Sequence, residues 1–198
     1  MRRDLLNDIF SSYINIDVRI LADFQKIGEL QQLMRLLALR IGNKMDISKM
    51  ASVVGLSRPT VMQYLEFLEM TYIITRLPAY AGGDKPSALA KKLYFCDNGI
   101  ASILANLSEG ALFENAVFNQ LRYYGDLNYL GKGREYEVDF IVTNRKRSIA
   151  LGVKYHPILA DDQKLKRIST KYAFVESWLI GKYPSPGFSE FIWAGSIF

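Results

Sequence analysis

Four side chains of this 198-residue chain have the types and spacing to do chemistry together: Glu114, Glu137, Asp139 and Lys154. Glu137 and Asp139 fall in Tyr136-Glu137-Val138-Asp139-Phe140, a run that reads as a strand, where residues two apart point to one face. In the next such run, Leu151-Gly152-Val153-Lys154-Tyr155, Gly152 and Lys154 share a face and Leu151, Val153 and Tyr155 take the other. Adjacent strands bring Asp139 and Lys154 within reach of each other, with Glu114 supplied from a helix. Carboxylate oxygens hold Mg²⁺ or Mn²⁺, and a lysine orients or helps deprotonate the attacking water, as a metal-dependent phosphodiesterase requires. The expected catalytic set is Glu114, Asp139 and Lys154, and the expected metal ligands are Glu114, Glu137 and Asp139. Glu137 lies about 7 Å along the strand from Asp139, so it reaches a shared ion only with help from Glu114.

A second reading competes. Asp139 and Lys154 can form a partly buried ion pair that shapes the sheet, with Glu114 nearby for hydrogen bonding. Removing one partner of such a pair is strongly destabilising, so the residues have reason to be present without catalysis. This reading is the one favoured, and no cofactor is expected unless the site is active, when it would take Mg²⁺ or Mn²⁺. The single histidine, His156, precedes Pro157 and has no visible nucleophile partner. The single cysteine, Cys96, excludes an internal disulfide and a cysteine-based zinc site. Trp178 and Trp193, in or beside apparent strands, are expected to pack.

The elements that must position these side chains follow from periodicity. Residues 99–198 read as one α/β domain. A helix near Gly99–Leu107 is followed by a longer one at Glu109–Gly125, which buries Leu112, Ala116, Phe118 and Leu121. Strands are predicted at 127–130, 134–143 and 148–155, then a polar amphipathic helix at 161–172 and a last strand at 173–181. That order builds a small mixed sheet with helices on its faces.

Residues 1–98 read as a helical bundle. Leu5, Leu6, Ile9, Phe10, Tyr13, Ile16 and Ile20 recur at helical spacing, and Leu30, Met34, Leu37 and Ile41 form a second stripe beside Leu33 and Leu36, stopped by Gly42-Asn43. The run Ile47–Leu68 then reads as a helix-turn-helix. Asp46 caps a short helix with Met50, Ala51 and Val54 inward, Gly55 ends it, and Ser57 caps a second helix with Pro59 in its first turn. Val61, Tyr64, Leu65 and Leu68 supply its buried stripe. In DNA-binding examples the start of the second helix meets base edges or phosphates, which here nominates Ser57, Arg58, Thr60 and Gln63. Glu66 and Glu69 further along oppose phosphate. The β-rich runs 71–80 and 91–97, joined by AGGDKPSALA, make a hairpin and so a winged helix, with Arg76, Lys85, Lys91 and Lys92 as its basic residues.

The net charge of +5 is spread evenly along the chain, which permits a local DNA-binding patch and argues against a histone-like binder. No apolar run approaches the ~20 residues of a membrane helix, and no export signal is read, so a cytoplasmic protein without membrane partners is expected.

The carboxylate, Asp and x-Lys order resembles the PD-(D/E)xK nuclease-like fold. The whole chain resembles the C-terminal region of the prokaryotic AAA+-like ATPase family, in which a domain of unknown function follows the ATP-binding domain. The matching pieces are YINIDVR, LSRPTVMQYLEFLE, KLYFCDNGIAS, GALFENAVFNQL, EVDFIV and GVK, in the family's order. The resemblance implies an α+β chain, a helical bundle with a winged helix-turn-helix followed by a restriction-endonuclease-like mixed domain. Two departures stand against full activity. No GxxxxGK[ST] string is present, and Gly152 stands where the nuclease motif has a carboxylate two residues before its lysine. The expected function is a DNA-binding or regulatory module of an ATPase, with a degenerate nuclease-like domain. The rivals are a residual Mg²⁺- or Mn²⁺-dependent nuclease and a protein-interaction module for an upstream ATPase domain.

Overall fold

The computed structural model describes residues 3–13, 27–80, 90–132, 135–145 and 147–196. Among them the chain is mixed α+β, with seven α-helices and two sheets. Ile16, Ile20, Lys85 and most of the YINIDVR string lie outside the described residues. The chain divides into two compact units, Met1–Arg76 with Leu93–Ser108, and Leu77–Lys92 with Glu109–Phe198.

In the first unit, α1 (Arg3–Ser12) keeps Leu5 and Ile9 exposed. Helix α2 (Ile27–Ala38) buries Ile27, Leu30, Leu33, Met34, Leu37 and Ala38, with Leu36 half-buried at the edge of the stripe. Gly42 ends the segment at φ 73°, and its N–H donates to the Leu93 carbonyl at 2.8 Å. Both caps of the next helix pair form as their sequence requires. Asp46 accepts the Lys49 N–H at 3.0 Å ahead of α3 (Ile47–Val54). Gly55, at φ 67°, returns its N–H to the Ala51 carbonyl; a left-handed residue here costs least without a Cβ. Ser57 accepts the Thr60 N–H at 3.2 Å and opens α4 (Arg58–Met70), whose Val61, Tyr64, Leu65 and Leu68 are buried. Against these pack Met50, Ala51 and Val54 of α3, all buried. Strands β1 (Ile74–Leu77) and β2 (Lys92–Phe95) form the two-stranded sheet. Helix α5 (Asn98–Leu104) is capped by Asp97, which accepts the Ile100 N–H at 2.8 Å, and it belongs to the first unit.

The second unit holds α6 (Glu109–Leu121), β3 (Asp126–Lys132), β4 (Tyr136–Asn144), β5 (Arg147–Lys154), α7 (Leu159–Lys171), β6 (Glu176–Gly181) and β7 (Ile192–Trp193). The sheet order is β3-β4-β5-β6-β7. The β3-β4 and β4-β5 pairs are antiparallel, while β5-β6 and β6-β7 are parallel. The parallel step needs a crossover, which α7 provides. Strand β7 was not anticipated, because two residues are too few to show alternation. Helix α6 buries Phe113, Asn115, Val117, Phe118 and Leu121, so Leu112 and Ala116, expected inside, are only half-buried. The helix is turned so that Phe118 meets Phe140, ring centroids 6.1 Å apart. On the other face Leu165 and Ile168 of α7 join Val138, Ile141, Ala150 and Leu179 in the core.

Strand β4 carries an irregularity beside Asp139. Asn128 pairs with Ile141 but Leu130 pairs with Val138, so Asp139 and Phe140 together stand opposite Tyr129. One extra residue in a strand interrupts the alternation of faces and re-aims the side chains beside it.

Candidate functional site

Strands β4 and β5 are paired through Phe140 and Leu151. Past that point Asp139 enters the gap: its carboxylate accepts the backbone N–H of Val153 at 2.7 Å and pairs with Lys154 Nζ at 3.6 Å. The Asp139 side chain is 14% exposed and that of Lys154 44%. The Asp139 charge is the largest influence on Lys154 and raises its pKa above the ordinary lysine value, with burial opposing and Asp161 and Glu114 adding to the rise. Lys154 is therefore a firmly protonated ammonium near neutral pH. It can attract an anion but is a poor base, since a lysine becomes one when its pKa is lowered.

Asp139, Glu137, Gly152, Lys154, Asp161, Lys164 and neighbouring apolar residues line a cavity of about 50 Å³. The sequence-predicted set does not converge in it as a metal centre. Glu137 and Asp139 both line the cavity, but the Glu137 carboxylate is held at 2.6 Å by Lys92. Glu114 is half-buried on α6 and near enough to raise the Lys154 pKa. Among the described residues no group of three or more His, Cys, Asp or Glu side chains is placed to hold a metal ion. Asp161, which shares the cavity wall, accepts the Ile158 N–H at 3.1 Å and so serves the start of α7.

Gly152 explains the missing carboxylate. A Cβ at this position would lie 2.9 Å from Leu179 Cδ2 and 3.5 Å from Leu165 Cδ2. The place a nuclease would give to an acid is thus filled with aliphatic carbon. Gly152→Asp is expected to lower stability by about 2 kcal/mol, through burial of an unpaired carboxylate and displacement of Leu179. Calorimetric titration with Mn²⁺ should give no saturable heat for that variant; tight binding would show that the cavity accepts a ligand set after all.

In the first unit, Ser57, Arg58 and Gln63 are exposed and Thr60 is half-buried. The Ser57 and Thr60 hydroxyls bond each other at 2.8 Å, which leaves Arg58 and Gln63 as the side chains directed to solvent at the start of α4. Glu69 is neutralised: Arg76 reaches it at 2.6 Å through Nη2 and at 2.8 Å through Nε. Arg76, expected on the basic wing, is thereby closed onto its own unit and only 11% exposed in its side chain. Lys92 needs a larger correction. Its side chain is 2% exposed, pairs with Glu137, and lies over the Tyr129 ring at 5.4 Å, so it cannot reach a phosphate. Lys91 is exposed, and Lys85 lies outside the described residues.

A family model described as a domain of unknown function (DUF8612) matches residues 1–111, more than half of the chain. The chain belongs to the DUF8612 family. The DUF8612 match takes in the helix pair α3–α4 and ends inside α6, ahead of Glu114, Asp139 and Lys154. No curated protein and no solved structure matches the chain.

Three cations of this DUF8612 chain were missed from sequence. Arg40, Lys44 and Lys49 line one small depression with Leu36, Asp46, Met50 and Val53. They come from the connection after α2 and from α3, so no single helical period groups them. The signal available was only their closeness to the capped turn. His156 is exposed and stacks on Tyr183, ring centroids 5.6 Å apart. Cys96 is half-buried with its sulfur 3.4 Å from Thr75 Oγ1. Trp178 and Trp193, expected to pack, are 48% and 52% exposed. No helix among the described residues is long and apolar enough to cross a membrane.

Proposed function

We propose that this DUF8612 protein is a DNA-binding or regulatory module, a winged helix-turn-helix joined to a nuclease-like domain that has lost its chemistry, working in the cytoplasm with an AAA+-like ATPase domain. The observation that carries the DNA reading is the α3–α4 pair. Both helices are capped, the apolar stripe of α4 is fully used in packing, and Arg58 and Gln63 remain exposed in the first turns of the second helix. A helix pair of this kind puts the start of its second helix in the major groove while the first crosses the backbone. Arg58 and Gln63 are then the groove contacts. Lys44, Lys49 and Arg40, around the start of α3, are the phosphate contacts. The Glu69–Arg76 pair removes one of the two carboxylates that opposed this reading.

Against catalysis in the second domain stand the apolar packing at Gly152, the Lys92 partner of Glu137 and the protonated Lys154. A plasmid-nicking assay with and without Mn²⁺ tests this; metal-dependent nicking that disappears in Asp139→Asn would restore the nuclease reading.

Arg58→Glu should weaken binding to a mixed-sequence duplex by about tenfold or more, because it replaces a cation with an anion beside phosphate. It should also reduce the slope of log affinity against log salt by about 0.9. Fluorescence anisotropy at several salt concentrations reads both. Wild-type binding that is absent, or insensitive to salt, would remove the DNA reading and leave the regulatory contact with an ATPase domain.

A further inference from the structure

The β4–β5 hairpin ends in Asn144-Arg145-Lys146-Arg147. Asn144 and Arg147 are ladder partners, so the turn has two central residues. Arg145, the first of them, sits at φ 52°, a left-handed position that such turns usually give to Asn or Gly because it is unfavourable for an ordinary residue. The turn therefore carries a guanidinium where local conformation would choose otherwise. Arg145 and Arg147 are both exposed, and among the described residues neither guanidinium is bonded to a partner.

Beside the turn is an open groove of about 880 Å³ lined by Tyr124, Val142, Asn144, Arg145, Arg147 and Ile149. Val142 and Ile149 are ladder partners and share a face, which makes an apolar floor. Tyr124 is 44% exposed at its edge. The register extends this face across β5 to β6, where Ile149 pairs with Glu176 and Leu151 with Trp178, 48% exposed. Glu176 is the carboxylate on that side, and it accepts from Trp178 Nε1 at 2.9 Å. Asp126, opposite Thr143, belongs to the alternate face.

We propose that this face binds single-stranded nucleic acid, with Arg145 and Arg147 on phosphates and Tyr124 and Trp178 offering rings to the bases. Charge complementarity selects a polyanion, and the combination with exposed rings over an aliphatic floor selects one whose base faces are free. A duplex hides those faces, whereas a single strand stacks them on aromatic side chains. This surface is independent of the α3–α4 helix pair.

The test uses the full chain and a fluorescein-labelled oligothymidylate of about 15 nucleotides, within the span of known single-strand sites. Arg145→Glu/Arg147→Glu should weaken binding by at least about tenfold, and Arg145→Ala/Arg147→Ala should lower the salt slope by about 1.4, or about 0.7 for each phosphate that is no longer neutralised. The chain has two tryptophans, so in Trp193→Phe the remaining Trp178 emission should be quenched saturably by the oligonucleotide. Arg58→Glu should leave this binding intact, which separates the result from that of the helix pair. A matched urea midpoint for the double arginine variant excludes misfolding. The proposal is overturned if the double variant binds as wild type, if oligothymidylate does not bind, or if polyglutamate competes as well as oligothymidylate, since charge alone would then suffice.

Discussion

Glu137→Ala is expected to cost about 3 kcal/mol of stability, while Lys92→Met, at the other end of the same ion pair, should cost less than about 1 kcal/mol. The asymmetry comes from burial. The Lys92 side chain is 2% exposed and that of Glu137 41% exposed, with 2.6 Å between their charged atoms. Removing the carboxylate strands an ammonium inside the second unit, with the Tyr129 ring at 5.4 Å as the remaining compensation. The cost is set near the lower end of values for broken buried pairs, because water already reaches the Glu137 side. Removing the lysine instead leaves a carboxylate that returns to solvent, and methionine refills most of the volume. Urea denaturation of the two single variants and of Lys92→Met/Glu137→Ala reads the effect. The double variant should recover most of the loss seen in Glu137→Ala. Equal costs for the two single variants would show that Lys92 is not buried against Glu137, and would return it to the surface cations available to DNA.

Asp139→Ala should cost about 3 kcal/mol, and Asp139→Asn about 1 kcal/mol. The ion pair with Lys154 is the smaller part of this. Lys154 is 44% exposed at 3.6 Å and regains water when its partner leaves, so little stability rests on it. The larger part is the Val153 N–H, which meets the Asp139 carboxylate at 2.7 Å in a residue that is 6% exposed. Alanine leaves that donor buried without an acceptor, whereas an asparagine carbonyl can still accept it. Thermal unfolding should separate the variants, with alanine lowering the midpoint by roughly 6–12 °C and asparagine by roughly 2–4 °C. If the two fall together, the charge on Lys154 matters more than the backbone bond. The pair of variants also bears on function: loss of any nicking activity in Asp139→Ala would report unfolding, so only the asparagine variant tests chemistry at this position.

Both predictions concern carboxylates whose spacing had nominated them as metal ligands. Asp139 bridges two strands that have begun to separate, Glu137 neutralises an internal lysine, and Leu165 and Leu179 crowd the place of a side chain at Gly152. Asp139 and Glu137, two of the expected metal ligands, each have a partner within the protein.

Residue types and their spacing were sufficient for everything that depends on neighbours a few positions away. The caps at Asp46, Gly55 and Ser57 and the stripe Val61-Tyr64-Leu65-Leu68 rest on contacts within a turn or two of helix, and these are written in the local order of residues. The meeting of Asp139 with Lys154 was legible because consecutive strands joined by a short turn pair with each other. Tertiary structure alone decided the partners of Lys92 and Arg76. Lys92 went inside to meet Glu137, and Arg76 closed onto Glu69. Electrostatic partners are chosen by distance in space and by which groups lose water. Neither quantity exists until strands far apart in the chain have been brought into register.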